Sequence, residues 1–347
     1  VGDNVQFSSI DSVIKSNESV DFDIVFVDEC STIDNRTMKA LLEKIGEGTK
    51  LVLSGDIYQI ESIDFGNWFY YAKDIIKTKG ASIELLHNWR TDKKELSSLW
   101  DEVRKKSPII TEKLSMDGPF SKDLCEDIFQ LTDGEVVLCL NYDGKFGLNN
   151  MNQYFQNANT KSEEFSWAEW IFKIGDRIIF LDTRRSSLLY NNLKGIIQNI
   201  EKTDSSIVFT IDIKTYLTEE QCKDESFEYV ENNNNGTRIK LEVIAWDDEL
   251  SEDDRIKTVI PFQIAYAISI HKAQGLEYES VKVVIPSSNA EKITHSIFYT
   301  AITRAKQKLK IFWSAETMDA IVKGFTEKKV ESKTLQLIKE RLKIQDE

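Results

Sequence analysis

The chain of 347 residues carries 44 Lys and Arg against 58 Asp and Glu, and its net charge of −14 excludes a polybasic nucleic-acid binder of the histone type. Its hydrophobic fraction of 41% and charged fraction of 29% are ordinary for a folded protein and exclude wholesale disorder. The length favours two or three domains, at roughly 100–200 residues per domain. No run of about 18 apolar residues and no secretory signal pattern occur, so we expect a cytoplasmic protein without a membrane span.

The cysteines are too few and too far apart for a disulfide framework or a C-x-x-C metal or redox site. We expect reduced thiols at Cys30, Cys125, Cys139 and Cys222.

A strand–helix–strand pattern opens the chain. Residues 24–27 are an apolar run that ends in two carboxylates, residues 36–45 have helical spacing, and residues 49–56 form a second apolar run with a polar tip. This pattern predicts two buried parallel strands, and ligands of open α/β sheets bind beyond the carboxyl ends of such strands. The polar residues expected there are Asp28, Glu29, Gly55, Asp56 and Gln59.

The middle of the chain changes character at residue 201. Before it, amphipathic helical segments and apolar strands alternate, including strands at 175–181 and 195–200. Residues 201–258 hold 7 basic and 16 acidic residues and alternate short β-like runs with polar turns. We interpret this segment as an inserted all-β module of about five strands. After Pro261 the α/β pattern returns, and a helical tail follows.

Three segments in the first third of the chain contain candidate residues for binding Mg²⁺, water or phosphate. In VFVDEC (25–30), Asp28 would hold Mg²⁺ through its water shell and Glu29 would polarise a water molecule; a solvated strand end is the alternative. In GDIYQ (55–59), the amide of Gln59 would detect a γ-phosphate, and an Asx turn is the alternative. In LLHNWRT (85–91), Arg90 could pair with a phosphate or could be a surface residue.

Two further segments lie near the C-terminus. AYAISIHKAQGLEYESV (265–281) runs from an apolar strand into a polar cluster in which Gly275 permits close backbone approach. In IFYTAITRAKQKLKIF (297–312), the stretch YTAITRA is predicted to lie on a helix and includes Arg304, a candidate arginine finger.

The ordered set resembles the C-terminal two-thirds of a superfamily 1 helicase, over residues 1 to about 315. VDEC is similar to motif II, GDIYQ to motif III, NWR to motif IV, SIHKAQGLE to motif V and YTAITRAK to motif VI. The stretch VVLCLNYDGKFGLNNMNQYFQ, with GDRIIFL and NLKGII, resembles the RecD-like branch, which carries an SH3-like barrel inserted before motif V.

The resemblance implies an α/β fold with two RecA-like parallel sheets and an inserted small all-β SH3-like barrel. The expected divisions are the end of the first motor domain with motifs II to IV (1–95), the second motor domain (96–200 and 259–315), the barrel (201–258) and a helical tail (316–347).

The resemblance also implies roles for individual residues. Asp28 and Glu29 would serve Mg²⁺ and water, while Gln59, Arg90 and Arg304 would reach the γ-phosphate. The nucleotide would also contact Gly275 and Glu277. Single-stranded DNA would contact Tyr58, Ser269, His271 and Lys272. Trp68 could offer a stacking surface or belong to the core.

One departure from the family pattern concerns the P-loop. No G-x-x-x-x-G-K-[ST] string occurs in the 347 residues, and we expect it upstream of Val1. The implied activity is an ATP- and Mg²⁺-dependent 5′→3′ helicase or translocase on single-stranded DNA, with this chain inactive as an ATPase by itself. The alternatives are a non-hydrolysing nucleic-acid-binding or regulatory module and an RNA helicase, and partner subunits of a helicase–nuclease complex stay open.

Overall fold

The computed structural model describes residues 5–62, 66, 68–76, 81–160, 162–325 and 331–342. Ile63, four residues after GDIYQ, and parts of the expected tail lie outside these ranges. The helices are α1 Ile10–Lys15, α2 Asn35–Leu42, α3 Trp68–Ile75, α4 Lys94–Arg104, α5 Ile110–Lys113, α6 Leu148–Ala158, α7 Glu252–Lys257, α8 His295–Ile302, α9 Ala315–Gly324 and α10 Glu331–Leu342.

The strands, in chain order, are β1 Ile24–Val27, β2 Lys50–Leu53, β3 Ser121–Lys122, β4 Glu135–Cys139, β5 Glu164–Trp167, β6 Trp170–Lys173, β7 Arg177–Phe180, β8 Lys194–Lys202, β9 Ser206–Ile213, β10 Glu228–Asn233, β11 Gly236–Ile244, β12 Phe262–Ile264, β13 Ala267–Ser269, β14 Tyr278–Val284 and β15 Ala305–Phe312. Short 3₁₀ turns lie at Cys30–Thr32, Glu126–Phe129 and Ser287–Lys292.

The chain forms two compact units. The first comprises Val1–Lys113, Ala290–Thr303 and Met318–Glu347, and the second comprises Leu114–Asn289 and Arg304–Thr317. This division differs from the expected one, because α4 and α8 both belong to the first unit. The physical reason is direct contact: the indole N–H of Trp100 on α4 donates to the carbonyl of Ile302 on α8 at 3.1 Å. Sequence order gave no sign of this pairing across 202 residues.

The first unit contains the predicted strand–helix–strand element. Strands β1 and β2 pair in parallel, with Ile24 opposite Lys50 and Val27 opposite Leu53. Helix α2 begins where the carboxylate of Asp34 accepts the backbone N–H groups of Arg36 and Thr37, at 2.8 and 3.0 Å. These bonds satisfy two donors that the helix itself leaves unpaired.

Strand β1 is buried on one face only, which corrects the prediction of a fully buried strand. Val27 packs with Cys30, Met38 and other residues of the unit's core. Ile24 and Phe26 point the other way and are 58% and 62% exposed. Successive side chains of a strand point to opposite faces, and among the described residues this sheet has two strands with helices on one side.

The second unit contains a five-stranded parallel sheet in the order β13-β4-β14-β15-β3. All five residues of β4, Glu135–Cys139, are buried, as expected for a central parallel strand. Helix α6 is attached to this sheet through Asn152, whose amide exchanges hydrogen bonds of 3.0 and 2.8 Å with the backbone of Ala267. The predicted α/β class is therefore confirmed.

A six-stranded antiparallel sheet, in the order β10-β11-β9-β8-β7-β12, lies within the second unit. We call strands β7 to β12 the β module. Its extent corrects the expected boundaries of 201–258, because β7, β8 and β12 also belong to it. The short apolar runs of β7 and β8 suit parallel and antiparallel sheets alike, so periodicity could not assign them. The SH3-like nature of the module stays a prediction.

No helix among the described residues is both long enough and apolar enough to cross a membrane.

Candidate functional site

The carboxyl ends of β1 and β2 are joined directly. The backbone N–H of Ser54 donates to Val27 at 2.9 Å, and that of Cys30 donates to Ser54 at 2.8 Å. Asp28 is exposed at this edge, and its carboxylate accepts the N–H of Glu29 at 2.9 Å. The two carboxylates thus lie beside the turn that follows β2, as the strand–helix–strand pattern predicts.

Glu29 adopts a left-handed backbone conformation, with φ of +52°. Its carbonyl accepts the N–H of Thr32 at 2.9 Å and the hydroxyl of Thr32 at 2.8 Å. Such a conformation is uncommon for a residue other than glycine and is often found at functional sites. The neighbouring thiol of Cys30 is buried, which raises its pKa to about 11, and the charges of Asp28 and Glu29 add to this effect. The thiol is therefore protonated and unreactive.

The turn after β2 holds Gln59 in a fixed position. Asp56 accepts the backbone N–H of Tyr58 at 3.0 Å with one carboxylate oxygen and the side-chain amide of Gln59 at 3.1 Å with the other. Gln59 is 9% exposed, and its Oε1 has no hydrogen-bond partner among the described residues. A buried acceptor without a partner can take a hydrogen bond from a ligand or a water molecule, so this end of the site fits a hydrated Mg²⁺–nucleotide group.

Gly55 permits the close approach of the two strand ends. A Cβ atom at this position would lie 2.8 Å from Phe69 Cε1, 3.0 Å from the backbone nitrogen of Ser31 and 3.1 Å from that of Cys30. Only glycine leaves this space free, because the nearest backbone atoms cannot move independently.

The two aromatic residues near this turn are packed. The ring of Tyr58 meets Tyr299 edge to face at 6.1 Å, and the guanidinium of Arg104 lies 4.8 Å from the Tyr58 centroid. The indole N–H of Trp68 donates to the carbonyl of Ile33 at 2.8 Å, and its ring packs on the core of the first unit. The core interpretation of Trp68 therefore describes its position.

Arg90 and helix α8 meet within the first unit. The Nη1 of Arg90 donates to the carbonyl of Thr303 at 2.9 Å, just after α8 ends. The hydroxyl of Thr300, which is fully buried on α8, accepts the backbone N–H of Ile60 at 3.0 Å. Sequence reasoning missed Thr300. Its only signal was its place in the segment that resembles motif VI.

Residues 269–278, called the motif V loop below, lie in the second unit. Ser269 is 4% exposed, and its hydroxyl accepts the backbone N–H of Lys272 at 3.2 Å. This burial corrects the expectation that Ser269 contacts a nucleic-acid strand, because its hydroxyl stabilises the turn instead. His271 is exposed, and Gly275 has φ of +74°. The Nζ of Lys272 donates to Oε1 of Gln263 on β12 at 3.0 Å, and burial lowers the pKa of Lys272.

The end of the motif V loop contacts the start of β15. Glu277 pairs with Lys306, with 3.0 Å between Oε2 and Nζ. Arg304 is fully buried, and its Nη1 donates to the carbonyl of Leu276 at 3.2 Å. Contrary to the prediction, Arg304 does not lie on a helix, because α8 ends at Ile302 and the chain enters β15 at Ala305. The structure thus collects the candidate residues into two groups, one in each unit. The first group is Asp28, Glu29, Tyr58, Gln59 and Arg90, and the second is Ser269, His271, Lys272, Gly275, Glu277 and Arg304.

Two protein families match parts of the chain. Residues 264–311 match the UvrD-like helicase C-terminal domain, and residues 1–118 match an AAA domain. The first match contains the motif V loop and Arg304. The second contains Gln59 and the two carboxylates that follow β1, Asp28 and Glu29.

Curated relatives include the RecBCD enzyme subunit RecD of Buchnera aphidicola subsp. Acyrthosiphon pisum. It is 23% identical over 376 residues, which span 89% of this chain and 56% of that protein. The RecBCD enzyme subunit RecD of Mycolicibacterium smegmatis is 22% identical over 317 residues, which span 83% of this chain and 50% of that protein. The chain therefore spans about half the length of these relatives.

Solved structures with a similar fold include Bacteroides Pif1 bound to ssDNA, with a TM-score of 0.55 and 14% identity. That match covers 98% of this chain and 79% of the Pif1 chain. The Pif1 helicase from Candida albicans has a TM-score of 0.52 and 14% identity, covering 90% of this chain and 76% of that chain.

Proposed function

We propose that this chain, which is similar to RecD-like superfamily 1 helicases, is part of an ATP-dependent motor that moves on single-stranded DNA in the 5′→3′ direction. The observation that carries this proposal is the junction of β1 and β2. There, Asp28 and Glu29 lie beside the turn in which Asp56 holds Gln59. Paired parallel strands that end in carboxylates and an oriented amide are typical of nucleotide hydrolysis sites.

Each residue of this junction has a proposed role. Asp28 would hold the water shell of Mg²⁺, and Glu29 would accept a proton from the attacking water. The buried Oε1 of Gln59 would accept a hydrogen bond from the attacking water or from a water on Mg²⁺, so its contact with the γ-phosphate would go through that water. When bound, Mg²⁺–ATP supplies the phosphoryl group and the charge that these residues orient.

The remaining predicted contacts lie on other segments. Arg90 and Arg304 would neutralise phosphate charge, and Arg304 would have to leave its buried contact with Leu276 to do so. His271, Lys272 and Tyr58 would contact the strand, and Gly275 and Glu277 would contact the nucleotide. RecD is named as a subunit of the RecBCD enzyme, so partner subunits are part of the proposal.

The first experiment measures the intact mass of the native protein and sequences its N-terminal peptides. A polypeptide that carries G-x-x-x-x-G-K-[ST] before residue 1 would support an active motor, because that loop binds the β- and γ-phosphates. A native polypeptide without the loop would reject hydrolysis and favour the alternative of a nucleic-acid-binding module. Binding to oligo(dT) and to the matching RNA, at two salt concentrations, separates a DNA motor from an RNA helicase.

The second experiment tests the site in the native polypeptide. Glu29→Gln should retain ATP binding and abolish DNA-stimulated turnover, whereas Glu18→Gln, on an exposed residue away from β1, should change neither. Near-normal turnover in the Glu29→Gln variant would show that Glu29 does not activate water.

A further inference from the structure

The motif V loop is held by two strands of the β module, one contact near each end. Near the loop's start, Oε1 of Gln263 on β12 accepts a hydrogen bond from the ammonium of Lys272 at 3.0 Å. At its end, Lys194 on β8 donates to the carbonyl of Glu277 at 2.5 Å. The Nζ of Lys194 also lies 3.5 Å from the centroid of the Tyr278 ring, close enough for a cation–π contact.

The charges around Lys194 come from several elements. The carboxylate of Glu277 attracts its ammonium, and the ammonium groups of Lys306 on β15 and Lys214 after β9 repel it. Burial is the largest effect and lowers the pKa of Lys194 to about 8. The lysine that contacts the loop is thus largely removed from solvent.

We propose that Lys194 is a positioning residue through which the β module holds Glu277, so that the module controls how the motif V loop meets nucleotide and strand. This inference rests on the proposed function, in which Glu277 contacts the nucleotide and Lys272 the strand. The geometry favours such a role because Lys194 donates to the backbone carbonyl of Glu277, the residue that would contact the nucleotide. Lys194 can therefore fix the backbone of Glu277 while the carboxylate of Glu277 pairs with Lys306.

The two contacts also join the two expected binding groups of the loop. Lys272 belongs to the part that would contact the strand, and Glu277 to the part that would contact the nucleotide. Since both are held by strands of one antiparallel sheet, a shift of β8 relative to β12 would change both ends of the loop together. The module would thereby act on coupling between the two ligands.

The test compares Lys194→Met, which keeps the length of the stem and removes the donor, with Lys194→Arg, which restores a donor and a charge. Lys214→Met is the matched control, because Lys214 lies close to Lys194 and makes no described side-chain contact with the loop. Hydrogen exchange of residues 270–278 is measured in the full chain. We expect exchange about tenfold faster in Lys194→Met, restoration in Lys194→Arg and no change in Lys214→Met.

The second readout is the affinity for oligo(dT), measured beside the melting temperature. We expect Lys194→Met to weaken binding without lowering the melting temperature and Lys194→Arg to restore it. Unchanged exchange in the motif V loop of Lys194→Met would overturn the inference, even if the chain binds DNA. Faster exchange with unchanged affinity would also overturn it, because the loop position would then not matter for binding. No oligo(dT) binding by the unmodified chain, with exchange altered as expected, would reject the proposed function instead.

Discussion

The backbone N–H of Ile60 donates a 3.0 Å hydrogen bond to the hydroxyl of Thr300, across 240 residues of sequence. Ile60 directly follows Gln59, whose amide is held by Asp56. Helix α8 therefore fixes the backbone of the segment that resembles motif III, and the segment that resembles motif VI contributes a buried contact to the first unit.

Thr300→Val should lower the free energy of unfolding by about 1–3 kcal/mol, because it removes the buried hydroxyl that accepts the N–H of Ile60. Valine has nearly the shape of threonine, so the change tests the hydroxyl and not the volume. Thr300→Ser keeps the hydroxyl and should recover most of the loss. Urea unfolding measures both variants, and equal stability of the two would contradict the importance of this bond.

Gly55→Ala should destabilise the first unit by about 1–3 kcal/mol, the usual effect of inserting a methyl group where there is no space. The added Cβ would lie within 3.1 Å of two backbone nitrogens, at Ser31 and Cys30. Gly46→Ala is the control, because a Cβ there meets no atom within 4 Å. Thermal unfolding gives the melting temperatures of the two variants. Similar values would show that the strand ends can separate without loss of stability.

Glu29→Gly should be more stable than Glu29→Ala by about 0.5–1 kcal/mol, although alanine normally stabilises relative to glycine. Both variants lose the same side-chain contacts, so their difference reports the left-handed backbone at φ of +52°. Chemical unfolding gives this difference. If alanine proves the more stable variant, the turn after β1 must be able to relax out of the left-handed region.

The pH dependence of stability should reflect Lys194. Its pKa is lowered to about 8 in the folded state from an ordinary value of 10.5. Between these values the unfolded chain binds a proton that the folded chain does not, so stability rises with pH by up to about 1.4 kcal/mol per pH unit. Below about pH 8 both states are protonated and this contribution is flat.

The difference in unfolding free energy between the unmodified chain and Lys194→Met, measured across this range, isolates the effect. Lys214→Met should retain most of the slope, because Lys214 is the smallest of the causes that shift the pKa of Lys194. A difference that does not vary between about pH 8 and pH 10.5 would mean that Lys194 is well solvated in the folded protein.

The chain's sequence alone was enough to predict the strand–helix–strand element and the gathering of Asp28, Glu29 and Gln59 at one edge. The reason is local: apolar runs followed by polar residues mark the ends of strands, and parallel strands present those ends together. The α/β class of the second unit followed from the same patterns. The resemblance to superfamily 1 helicases came from the order of five short motifs.

The tertiary structure decided which segments pack together. Helix α8 packs with α4 and with the segment after Gln59, Arg90 caps the end of α8, and Lys194 reaches Glu277 from another sheet. These contacts join residues far apart in sequence through single hydrogen bonds. Single contacts of this kind produce no periodic pattern of apolar and polar residues in the sequence. Burial followed the same rule: Ser269 and Arg304 are enclosed, and Phe26 is exposed, because exposure depends on the neighbours that the fold supplies and not on the residue's own polarity.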